Sequence, residues 1–108
     1  MDYFTQRPLR NSDIVWRREQ RKEERVLRAL EEGEAVDEQG TVLLVVSGTM
    51  HQLNLVGGMI WCLCDGTRTV DEITAQLADE FSVSRDELES DVREFFDELQ
   101  QRGWLSYV

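Results

Sequence analysis

"TVLLVVSGTMHQLNLVGGMIWCLCDG" (Thr41–Gly66) decides the fold. Its first part, Thr41–Ser47, is rich in β-branched residues and apolar on both faces, as a central strand would be. A Gly-Thr step then turns the chain and Met50–Leu55 returns it, so two β runs with so short a connection read as a hairpin. In the returning strand His51, Leu53 and Leu55 share one face, and Met50, Gln52 and Asn54 the other. Asn54 can cap a helix that carries Met59, Ile60 and Leu63 and ends at Asp65-Gly66. Gly57 and Gly58 in its first turn weaken that helix but let another element come close.

Working outward, "DIVWR" (Asp13–Arg17) is a short β run. Residues 18–34 are rich in helix formers, with a thin apolar face of Val26, Leu27 and Leu30, and Gly33 closes them. Downstream, "TVDE" (Thr69–Glu72) and "SRDE" (Ser84–Glu87) are capping boxes. The first opens a helix with Val70, Ile73, Leu77 and Phe81 on one stripe. The second opens a long helix with Leu88, Val92, Phe95, Phe96 and Leu99 at helical spacing. Gly103 stops it and leaves "WLSYV" as an extended tail. Residues 1–12 read as a flexible arm.

The fold class expected is therefore α+β. A small three-stranded antiparallel sheet packs on a trihelical, winged-helix-like unit, with a charged helical insertion (residues 18–40) after the first strand. All 108 residues form a single domain in this reading.

Charge bounds the partners. Twenty-two acids against 12 bases leave a net charge of −10. Such a surface repels phosphate backbones. The long helix carries Asp86, Glu87, Glu89, Asp91, Glu94, Asp97 and Glu98 against Arg93 and Arg102. A winged-helix DNA-binding or regulatory protein, the alternative reading of the fold, needs the opposite balance there. No nucleic-acid partner is expected. Gln39–Cys64 has no charged residue, yet polar residues and glycines interrupt it, so no membrane span is expected either. The first 30 residues hold no apolar run of signal-peptide length, which points to a cytoplasmic protein with reduced thiols.

Cys62, Cys64 and His51 are the residues that could hold a metal or act as nucleophile and base. Zinc takes about four ligands, usually with cysteines in C-x₂₋₄-C pairs. On a helix, Cys62 and Cys64 point about 200° apart. Core packing is the better reading, with no metal, no cofactor and no catalytic residue.

The ordered set Leu53-Asn54, Gly57, Ile60-Trp61, Asp65-Gly66 and Thr69-Val70-Asp71-Glu72-Ile73, followed by "FFDELQQRGWL" (Phe95–Leu105), resembles the PqqD-like family. The resemblance covers about residues 41–105, and Asp13–Arg17 fits the family's first strand. The insertion at 18–40 departs from the pattern, where a short turn is usual. The resemblance implies a recognition element for ribosomally made, post-translationally modified peptides, a role in natural product biosynthesis. Such a domain is not an enzyme. It binds the leader of a precursor peptide by β-strand addition and presents it to a modifying enzyme, often a radical S-adenosylmethionine protein with a SPASM extension. Carried onto this sequence, the peptide site comprises Met50, His51, Gln52, Leu53, Asn54 and Leu55 on the third strand. Val92, Phe95, Phe96 and Leu99 join it from the last helix. The partners implied are the precursor peptide and the radical maturase, with a homodimer allowed. An unpaired strand edge suits an extended peptide. The competing expectation is that the chain's own arm or tail covers that edge.

Overall fold

In the computed structural model, which describes residues 3–35 and 39–108, two compact units are formed. One spans residues 12–62 and the other joins residues 1–11 to residues 63–108.

The first unit is built on a three-stranded antiparallel sheet, β2 (Val15–Arg18), β3 (Gly40–Val46) and β4 (Thr49–Asn54), in the order β2-β3-β4. Ser47 and Gly48, at φ 50° and 81°, form the turn between β3 and β4. Positive φ at both central residues is the type I′ geometry, whose twist matches the flanking strands. The turn lies one residue earlier than expected, because Gly48 has to occupy its second position. Val42 and Leu44 are buried on one face of β3, with Leu53 from β4. Thr41 is an extra residue between the Gly40↔Asn54 and Val42↔Leu53 pairs, a bulge, and its hydroxyl donates to the Asn54 carbonyl at 3.3 Å.

β2 continues through Arg18, which pairs with Val42, so the following helix starts later than its composition suggests. That helix, α1 (Gln20–Glu31), is the charged insertion. Of its thin apolar face only Val26 is fully buried. Arg18 and the buried Glu23 form a two-point ion pair at 2.6 and 2.8 Å, tying the end of β2 to the first turn of α1. Gly33 closes the helix as expected, its N–H donating to the Leu30 carbonyl. Of the loop expected at 35–40, residues 36–38 lie outside the described residues.

α2 (Leu55–Leu63) follows β4 without a gap. Asn54 ends the strand and caps the helix, its Oδ1 accepting the Gly57 N–H at 2.9 Å. A Cβ on Gly58 would lie 2.8 Å from both Thr41 Oγ1 and Val42 Cγ2. This glycine is what lets α2 lie against β3. Ile60 and Trp61 are buried, and the Trp61 ring meets Trp16 of β2 edge-on at 6.3 Å.

The second unit holds α3 (Val70–Phe81), α4 (Arg85–Gln101) and a sheet the sequence reading missed. Thr69 and Glu72 form the expected reciprocal capping box. Ser84 caps α4 one way only, accepting from the Glu87 N–H at 3.2 Å. Val70, Ile73 and Leu77 of α3 and Val92, Phe96 and Leu99 of α4 are buried. Gly103 and Trp104 turn their N–H groups back onto the Gln100 and Leu99 carbonyls and end α4.

From Tyr3 onward the arm forms defined elements. Tyr3–Thr5 form a single 3₁₀ turn, and β1 (Pro8–Arg10) pairs antiparallel with the tail, β5 (Leu105–Tyr107). The Gly66 N–H donates to the Pro8 carbonyl, the Val70 N–H to Gln6 and the Val108 N–H to Arg7. Pro8 heads its strand, where a missing N–H does least harm. With four helices and the three-stranded antiparallel sheet among the described residues, the expected α+β class holds, and the two-stranded sheet is added to it.

Candidate functional site

β4 is paired on one side only. β3 lies along one flank, and among the described residues no strand lies along the other. The arm and the tail, the two segments expected to compete for that flank, pair with each other instead. The edge therefore offers backbone groups to an extended ligand.

The register decides which groups those are. In an antiparallel pair, residues that exchange both backbone bonds alternate with residues that exchange none. The type I′ turn sets Val46↔Thr49 as a bonding pair, the Thr49 N–H reaching the Val46 carbonyl. Counting along the strand, His51 and Leu53 bond to β3, opposite Leu44 and Val42. Met50 and Gln52 therefore direct their N–H and C=O groups to the open flank.

The side chains divide by the same alternation. Leu53 is buried and His51 half-buried on the core face, whereas Met50, Gln52 and Asn54 are exposed. Leu55, taken from sequence as the last strand residue, is the first residue of α2 and is buried. Of the six strand residues named from sequence, Met50–Asn54 thus lie on β4.

On α4, in the other unit, Val92, Phe96 and Leu99 are buried and their side chains serve packing. Phe95 is half-buried and touches Phe96 at a ring separation of 6.5 Å, so of the four helix residues named from sequence it is the one with surface to offer. The solvated side of α4 holds a shallow open groove lined by Ser90, Arg93, Glu94, Asp97, Glu98 and Gln101. Arg93 stacks on the Tyr3 ring at 4.9 Å. Burial, with Tyr107 and Asp97 nearby, pushes the Tyr3 phenol well above its ordinary range, so it is neutral and no base.

Cys62 is half-buried on α2, Cys64 is buried just beyond it, and no disulfide joins them. Among the described residues no group of three His, Cys, Asp or Glu side chains is placed to hold a metal ion. No helix among them is long and apolar enough to cross a membrane.

Comparison with known proteins adds to this geometry. The family model described as "Coenzyme PQQ synthesis protein D (PqqD)" matches residues 24–105. No curated protein sequence matches the chain. Among solved structures, "TbiB1 in Complex with the TbiA(beta) Leader Peptide" superposes with a TM-score of 0.62 at 25% identity. The match covers 91% of this chain and 94% of that one.

Proposed function

The chain belongs to the PqqD family, and from that premise we propose that it binds the leader of a ribosomally made precursor peptide as a strand added to β4. The observation that carries the reading is the open flank of β4, with the backbone groups of Met50 and Gln52 turned outward and the chain's own arm and tail engaged elsewhere. The likeness to TbiB1, whose structure holds a leader peptide, supports the same class of ligand.

The mechanism is binding, not catalysis. A leader strand would exchange backbone hydrogen bonds with Met50 and Gln52, and its alternate side chains would select for sequence. By family resemblance the captured peptide is presented to a radical S-adenosylmethionine maturase of the SPASM type, and the protein works in the cytoplasm. A short peptide gene and a radical-enzyme gene beside this one would support that partnership.

The direct test is an amide chemical-shift titration with the leader segment. Perturbed amides should cluster on Thr49–Asn54. Perturbation confined to α1, with β4 silent, would refute strand addition. A proline at a leader position whose N–H meets the Met50 or Gln52 carbonyl should weaken binding sharply, since it removes a donor.

A further inference from the structure

The sheet of the first unit carries an apolar row on its solvent face. Val15 of β2 pairs with Val45 of β3, and Val45 pairs with Met50 of β4. All three lie on the face opposite Trp16, Leu44 and His51, and they are 70%, 41% and 64% exposed. Cross-strand neighbours on one face are the unit of sheet stabilisation, so the row is continuous from β2 to the open flank of β4. The next row, Arg17, Leu43 and Gln52, is polar at both ends.

We propose that this row reads the peptide: Met50 selects an apolar side chain at one defined position of the leader, on the outer face of the sheet and away from the core-side face of β4. The inference rests on the strand-addition reading and goes beyond it by fixing register and chemistry. In antiparallel addition, the pairing this sheet uses throughout, the leader residue opposite Met50 exchanges both backbone bonds with it. Its side chain then falls beside Met50 and becomes the fourth member of the row. The residue two positions earlier in the leader falls beside Gln52, where polar side chains are accepted. The leader therefore carries the pattern polar-x-apolar. Proline is barred from the apolar position, because the N–H there is used.

The test uses a display library of randomised 12-residue peptides, selected against the full chain and against Met50→Glu and Met50→Lys. Met50 is exposed on an edge strand, so both variants should fold, as circular dichroism will verify. Peptides enriched by the natural chain should align on a motif with an apolar residue at one position. Met50→Glu should move that position to Lys or Arg, and Met50→Lys should move it to Asp or Glu, with the rest of the motif unchanged. Single-residue swaps at that position should alter affinity by up to about fivefold. If all three chains enrich the same motif, Met50 does not read the peptide and the inference fails, while peptide binding stands. If the folded natural chain enriches no motif at all, the binding reading fails and takes this one with it. If the natural chain self-associates in sedimentation and Met50→Glu returns it to monomer, the row serves a second copy of the chain and the inference is overturned.

Discussion

Gly58 shows how one missing methyl group decides the packing of a helix on a sheet. Alanine there would raise helix propensity by up to about 1 kcal/mol. Its Cβ would also press on Thr41 and Val42, both buried β-branched residues with little room to move. Overpacking of this kind costs about 1–3 kcal/mol, which is the larger effect. Gly58→Ala should therefore destabilise the chain in urea, against the sign that propensity alone predicts. An unchanged midpoint would show that α2 can slide off β3 at little cost. Trp61 is the opposite case, a large side chain wholly buried and edge-on to Trp16. Trp61→Ala should cost about 3–5 kcal/mol and unfold or strongly weaken the domain. A variant that kept its thermal midpoint but lost peptide binding would move Trp61 from the core to the site.

The elements differ in how far they could be read from local signals. The capping box at Thr69 needs only residues three apart, and it forms as expected. Thr69→Ala should cost about 1 kcal/mol, or roughly 4–8 °C in Tm. The Thr69 N–H holds the Glu72 carboxylate below its ordinary 4.5, so the ionised form is favoured in the fold. Its share of stability is present above that value and is lost as pH falls through the lowered one. Glu72→Gln should flatten that part of an acid denaturation curve, and an unchanged curve would show the box carries no charge-dependent stability. The β3-β4 hairpin and the Asn54 cap were legible for the same reason, since every partner is a few residues away. The β1-β5 sheet was not. Its strands are three residues each, and Pro8 pairs with Tyr107 at the far end of the chain, so neither strand carries a period long enough to detect. The free flank of β4 was legible as a strand but not as free, because its freedom depends on where the arm and tail go. Burial of Val92, Phe96 and Leu99 was equally hidden: helical spacing marks an apolar stripe but does not separate core from contact surface.

Across the whole chain the net charge of −10 sets how a peptide is met before it is bound. The residues of α4 include seven carboxylates against two arginines, and three of the six residues lining its open groove are acidic. Of those arginines, Arg85 is paired to Asp71. An extended peptide with Lys or Arg near its contact point is drawn to such a surface, and an acidic one is repelled. Exposed charges act over about 10 Å at 0.1 M salt and about 3 Å at 1 M. The attraction therefore belongs mainly to the encounter, whereas the backbone bonds to Met50 and Gln52 and the apolar contact beside Met50 belong to the bound state. Stopped-flow binding of a basic leader should show an association rate that falls as salt rises from 0.05 to about 1 M, with a dissociation rate that changes little. Replacing the leader's Lys and Arg by Glu should invert the salt dependence of association. An association rate indifferent to salt for both peptides would mean that the acidic helix takes no part in capture, leaving the strand edge to act alone.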